Sequence, residues 1–128
     1  MSEPTKILLV EDDRNIALAL QIRLRASGHD VHLAASVAGA LAFVSEHVPI
    51  IAVIDINLPD GNGIELVRTF GTLGLPSPIS SIVMTASHKP ELREKALGAG
   101  ARVFLEKPFP SSALIEAIAS SEQMRQAS

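Results

Sequence analysis

Pro49-Ile50-Ile51-Ala52-Val53-Ile54-Asp55 is a short, largely β-branched apolar run that stops on a carboxylate. Apolar at nearly every position and only a few residues long, it reads as a strand buried on both faces. Directly behind it, Asn57 to Gly63 is a cluster of turn formers: Asn, Pro, Asp, Gly, Asn and Gly. A buried strand that delivers an acid into a tight loop is the first sign of a site at a strand end.

The flanking segments repeat the pattern. Towards the N-terminus, Ser36 can cap a helix carrying Ala40, Leu41 and Val44. Val31-His32-Leu33-Ala34 reads as a weaker strand. Arg14 to Ser27 has Ile16, Leu20 and Leu24 at helical spacing, and Gly28 supplies its stop. Lys6-Ile7-Leu8-Leu9-Val10 is another buried strand, and it too ends on acids, Glu11 and Asp12. Asp13 reads as the cap of the first helix. Towards the C-terminus, Ile64, Val67 and Phe70 mark a helix, Gly71 to Ser80 a loop, and Ser81-Ile82-Val83-Met84 a fourth strand. Pro90 opens a helix that runs through Leu97 and stops at Gly98 or Gly100. Arg102 to Leu105 is the fifth strand, followed by Lys107. Ser111 or Ser112 caps a last helix with Leu114, Ile115 and Ile118 inward, and the polar tail from Ser120 reads as frayed or linker-like.

Strand and helix alternate five times, which predicts an α/β fold with a parallel sheet and helices on both faces. In such sheets functional groups gather at the carboxyl ends of the strands. Glu11, Asp12, Asp55, Thr85 and Lys107 all fall just past a strand end, and that shared placement carries more weight than any one of them. At about 4 Å and an effective dielectric near 20, each like-charge pair costs about 4 kcal/mol unless a cation joins it. Hard oxygen ligands at this density suit Mg²⁺, with the backbone carbonyl of Asn57 as a further ligand. Asp55 is the candidate nucleophile, able to accept a phosphoryl group as an acyl phosphate. Lys107 can pair with Asp55 at rest and with a phosphoryl oxygen afterwards, and Thr85 offers a hydroxyl to the same group.

The bulk numbers narrow the class. A chain of 128 residues, 47% apolar and 20% charged, forms one domain with a real core. The expected packed core spans about 6–118, with 119–128 as tail. With no Trp or Tyr and four Phe, that core is aliphatic. A net charge of −3 without a basic run argues against direct nucleic-acid binding. No cysteine means no disulfide or thiol chemistry. No signal-like or membrane-spanning run is evident, so a cytoplasmic domain without membrane contact is expected. His29, His32, His47 and His88 share no metal-ligand spacing, and His88 is expected at the surface although near Thr85 in sequence. Neither a dinucleotide-binding glycine pattern nor a P-loop occurs.

Four motifs together resemble the receiver domain of bacterial two-component response regulators, the CheY-like, flavodoxin-like fold. They are Ile7-Leu8-Leu9-Val10-Glu11-Asp12-Asp13, Val53-Ile54-Asp55-Ile56-Asn57-Leu58-Pro59-Asp60-Gly61, Val83-Met84-Thr85-Ala86 and Phe104-Leu105-Glu106-Lys107-Pro108-Phe109. The resemblance runs from Lys6 to about Ile118. It implies strand order 2-1-3-4-5, and phosphorylation of Asp55 by a histidine kinase or histidine phosphotransfer protein. It implies Mg²⁺ held by Glu11, Asp12, Asp55 and the Asn57 carbonyl, and Thr85 and Lys107 as phosphoryl-binding residues. Phe104 takes the place of the switch aromatic, turning into space vacated by Thr85 and changing the face formed by the fourth helix, fifth strand and fifth helix to control an effector. The family often has a cis bond before the proline matching Pro108, and loses its phosphoryl group to water at rates tuned at Asn57 and Ser87. Such a domain is regulatory rather than an enzyme, its chemistry limited to self-phosphorylation from phosphodonors and autodephosphorylation.

Arg102 and Val103 stand where receivers fused to winged-helix domains often carry an acidic pair used in dimer salt bridges. That lowers the expectation of that output, while a phosphorylation-dependent dimer stays open. The start Met1-Ser2-Glu3-Pro4 disfavours a receiver cut from the C-terminus of a hybrid kinase. Two competing readings remain. One is a receiver-like interaction module that is never phosphorylated. The other is a haloacid dehalogenase-like phosphohydrolase, which needs an Asp where Asn57 stands.

Overall fold

The computed structural model describes residues 5–127, with side chains described through 122; Met1 to Pro4 and the end of the tail lie outside the described residues. The chain runs β1 (Lys6–Val10), α1 (Arg14–Ala26), β2 (Asp30–Ala34), α2 (Val37–Glu46), β3 (Ile51–Asp55), α3 (Gly63–Thr72), β4 (Ser80–Thr85), α4 (Glu91–Gly98), β5 (Val103–Glu106) and α5 (Ser111–Ala127). The five strands form one parallel sheet in the order β2-β1-β3-β4-β5. The expected fold class and strand order are therefore the observed ones.

The aliphatic strands divide their side chains by parity, because successive residues point to opposite faces. Ile7, Leu9, Ile51, Val53, Ile82 and Met84 join Leu24 of α1 with Leu114 and Ile118 of α5 in one core. Leu8, Val10, Ala52, Ile54 and Val83 join Ala40 and Val44 of α2, Leu66, Val67 and Phe70 of α3 and Ala96 of α4 in the other. Every residue of β3 is buried. Each fully buried Ile or Leu contributes about 1.5–3 kcal/mol of transfer free energy, so the central strands are the most firmly anchored part of the molecule.

Local signals place the helix ends. Asp13 Oδ1 accepts from the Ile16 N–H at 3.0 Å, and Ser36 Oγ accepts from the Gly39 N–H at 3.0 Å. Gly28 leaves α1 with φ +91°, a left-handed conformation that glycine adopts without strain.

Three local expectations are corrected. The turn-former segment contains a two-residue antiparallel ladder, Asn57–Leu58 with Gly61–Asn62, whose Leu58 is buried. The last helix begins at Ser111 itself, where the Ala113 N–H bonds the Pro110 carbonyl. The tail expected to fray from Ser120 is helical to Ala127. Ser121 is buried there with its hydroxyl on the Ala117 carbonyl at 2.9 Å, and Glu122 Oε2 accepts from the Thr5 hydroxyl at 2.8 Å. Contacts at Ser121 and Glu122 thus anchor the helix just beyond Ile118.

Candidate functional site

β1 lies between β2 and β3, so the chain leaves β1 to one side and later returns on the other. This makes the β1/β3 boundary the switch point of the sheet, where a crevice opens at the strand ends. The register pairs Val10 with Ile54, which sets Glu11 level with Asp55. Glu11 is 3% and Asp55 7% exposed, while Asp12 is open to solvent. One oxygen from each of these three carboxylates lies within 4.8 Å of the others.

Lys107 enters from β5. Its backbone N–H bonds the Thr85 carbonyl at 2.7 Å, extending the β4/β5 ladder past its end. The Lys107–Pro108 peptide bond is cis, as the resemblance implies. Nζ donates to Glu11 Oε1 at 2.7 Å and to Asp55 Oδ2 at 3.2 Å. Burial opposes the lysine's charge, but the contacts with Glu11 and Asp55 outweigh it and its pKa is raised. Burial also raises the Glu11 pKa. The Lys107 hydrogen bond opposes that rise without cancelling it, and Asp55 adds to it. One ammonium therefore serves two of the three clustered carboxylates, and acids outnumber the single cation.

The remaining oxygens are partly engaged. Glu11 Oε2 accepts from the Asp13 N–H at 3.2 Å, and Asp55 Oδ1 accepts a long 3.4 Å bond from the Asn57 N–H. Asp12 is the freest of the three acids. An all-oxygen donor set with one solvent-facing carboxylate fits Mg²⁺, which keeps several waters, better than a metal that seeks nitrogen or sulfur.

Thr85 is fully buried, and its Oγ1 accepts from the Ser87 N–H at 3.0 Å, so the hydroxyl proton remains available to a further acceptor. Phe104 is 6% exposed and belongs to the same core cluster as Val83, Ala96 and Ala101. The inward turn expected of it has no exposed starting point here: the ring is already inside. Asn57 is exposed at the rim, and His88 is exposed as expected.

Three features escaped the sequence reading. Gly63 starts α3 so close to β3 that an added Cβ would stand 2.2 Å from the Asp55 carbonyl oxygen, and its N–H bonds the Ile56 carbonyl at 2.8 Å. Asp60 accepts from the Val37 and Ala38 N–H groups of α2 at 2.7 and 2.9 Å. These backbone bonds hold its carboxyl below the usual range. His88 Nδ1 meets Glu106 Oε2 at 2.6 Å beside Lys107. The glycine spacing in Asp60-Gly61-Asn62-Gly63 was the only available hint of the first, and nothing local signals the other two.

A family model described as the response regulator receiver domain matches residues 7–119, which includes every residue of this cluster. The chain belongs to the response regulator receiver family. As a receiver domain it is 33% identical over 104 residues to the virulence transcriptional regulatory protein PhoP of Salmonella typhimurium, and equally to the transcriptional regulatory protein PhoP of Escherichia coli. Each match covers 81% of this chain and 46% of the relative, so the receiver spans about half the length of these relatives. Among solved structures it is similar to a CheY-like receiver domain protein of Methanospirillum hungatei, with a TM-score of 0.89 at 28% identity, covering 98% of this chain and 100% of that one. Among the described residues, no helix is long and apolar enough to cross a membrane.

Proposed function

We propose that this receiver is a phosphoacceptor in two-component signalling, with Asp55 as the residue modified to 4-aspartylphosphate. The observation that carries the reading is the position of Lys107 Nζ, 3.2 Å from Asp55 Oδ2 and 2.7 Å from Glu11 Oε1, beside three clustered carboxylates. A structural ion pair needs one acid for one lysine. An excess of acids at a solvent-open strand end suits a site that awaits a cation and a phosphoryl group.

Asp12, Asp55, the Asn57 carbonyl and Glu11 would hold Mg²⁺, which when bound neutralises charge on the transferring phosphoryl oxygens. An Asp55 carboxylate oxygen attacks the phosphorus of a phosphohistidine on a kinase or phosphotransfer protein. The new O–P bond forms as the P–N bond breaks, and the histidine leaves with a proton from water. Lys107 exchanges its carboxylate partner for a phosphoryl oxygen. Thr85 donates its free O–H to another, drawing the β4–α4 loop with it. Because Phe104 is already buried, the signal passes as repacking around a fixed ring rather than as a large rotamer swing. The readout face is α4-β5-α5, and a coupling of about 1–3 kcal/mol suffices to bias it. Water later removes the phosphoryl group, at a rate set by the side chains at Asn57 and Ser87.

On this reading the receiver is a single cytoplasmic domain that controls an effector domain or protein, with no contact of its own to nucleic acid. The test is intact mass after incubation with acetyl phosphate and Mg²⁺. One added phosphoryl group on wild type, absent with EDTA and in Asp55→Asn, is the expected result. No addition, with beryllofluoride also failing to bind folded protein, would turn the reading to an interaction module that is never phosphorylated.

A further inference from the structure

We propose that Asp60 is a positioning residue for the metal and phosphoryl site, its carboxylate clasping the loop behind Asp55 to the first turn of α2. The proposal rests on the phosphoacceptor reading of Asp55. Both Asp60 oxygens are used: Oδ1 takes the Val37 N–H at 2.7 Å and Oδ2 the Ala38 N–H at 2.9 Å. A helix start leaves its first amides without partners. Ser36 satisfies that of Gly39, and α2 has no acid in its own first turn, so Asp60 supplies the remaining acceptors and the anion from another loop.

The contacts on either side give the clasp its consequence. Asp60 lies in the two-residue turn that closes the small ladder pairing Asn57 with Asn62 and Leu58 with Gly61. Two residues before α2 begins to cap, the Ala34 carbonyl accepts the Glu11 N–H at 3.0 Å. Segment 34–38 therefore touches the Glu11 arm of the carboxylate cluster at one end and the Asn57 arm, through Asp60, at the other. From inside, the Gly63 N–H on the Ile56 carbonyl and the Ile56 N–H on the Met84 carbonyl fix the base of the same loop. Only Asp60 ties its outer side to α2 through a side chain among the described hydrogen bonds. Releasing it frees the Asn57 carbonyl relative to Glu11 without removing any ligand.

The test is calorimetric Mg²⁺ titration of wild type, Asp60→Ala, Asp60→Asn and Ser36→Ala, with amide hydrogen exchange at Asn57 and a thermal melt of each. Asp60→Ala is expected to weaken Mg²⁺ binding by at least about threefold, the low side of what supporting residues around metal sites deliver. Asp60→Asn, which keeps one acceptor oxygen, falls between it and wild type, and serves alone if Asp60→Ala does not fold. Exchange at Asn57 quickens in both. Ser36→Ala weakens the same helix start and lowers Tm, yet leaves Mg²⁺ affinity and Asn57 exchange unchanged. Unchanged affinity in both Asp60 variants, or an equal loss in Ser36→Ala, overturns the clasp. Absence of Mg²⁺ binding by wild type overturns the site reading beneath it.

Discussion

Lys107 Nζ stands closer to Glu11 than to Asp55, 2.7 Å from Oε1 of the former and 3.2 Å from Oδ2 of the latter. The lysine is thus held mainly by a buried acid next to the candidate phosphoacceptor, and its longer bond is the one to Asp55. A group arranged this way can release Asp55 without losing its own anchorage. The cost is a cluster with more acids than cations, two of whose acids, Glu11 and Asp55, are buried.

That excess charge predicts a gain in stability on removing it. Asp55→Asn is expected to unfold at higher denaturant than wild type in EDTA, by about 0.5–2 kcal/mol, as substitutions that relieve functional-site strain do. Added Mg²⁺ should stabilise wild type and leave the variant almost unmoved. A variant less stable than wild type in EDTA would mean that Lys107 already balances the site.

Gly63→Ala places a methyl against the Asp55 carbonyl oxygen and within 2.8 Å of Ile54 Cγ2. Backbone must shift to accept it, at a cost of about 1–3 kcal/mol by denaturant melt. The shift should also appear in the amide spectrum at Asp55 and Ile56. Wild-type stability and spectra would show that α3 has slack at its start.

Asp60 gives the acid limb of stability its sign. Its folded pKa lies below the ordinary 3.8 because backbone N–H groups bond the ionised form. Its stabilisation is therefore complete above that ordinary value and is lost as pH falls through the lower folded pKa. Denaturant midpoints taken from about pH 5 down to about pH 2.5 should fall less steeply in Asp60→Asn than in wild type. Parallel curves would assign the acid limb to other groups.

Phe104→Ala opens a cavity in the core shared with Val83 and Ala96, with an expected loss of about 3–5 kcal/mol. Phosphorylation by acetyl phosphate should survive in the folded fraction, because the ring is not part of the carboxylate cluster. A loss under about 1 kcal/mol would mean that the ring is not packed as the burial indicates.

How much of this is legible in the sequence follows from the range of each interaction. The strands announce themselves because β3 is buried along its whole length, and parallel packing then carries Glu11, Asp12, Asp55 and Lys107 to one edge. The Asp60 clasp is not legible, since it joins residues 22 and 23 positions apart through main-chain donors that have no side-chain signature. In sequence Asp60 reads only as a turn former before Gly61. The inward Phe104 is likewise a tertiary outcome: the sequence names the aromatic but not its rotamer. The final turns of α5 look frayed because Ser120, Ser121 and Glu122 are polar, yet Thr5 and the Ala117 carbonyl partner two of them.

Site mapping of the modified residue tests the phosphoacceptor assignment most directly. The protein is treated with acetyl phosphate and Mg²⁺, reduced with borohydride, which converts an acyl phosphate of aspartate to homoserine, and digested for peptide mass spectrometry. Homoserine at position 55, with Glu11 and Asp12 unchanged, is the expected result. Homoserine at position 12, the corresponding reduction product at position 11, or unreduced Asp55 in protein shown by intact mass to be phosphorylated, would contradict it.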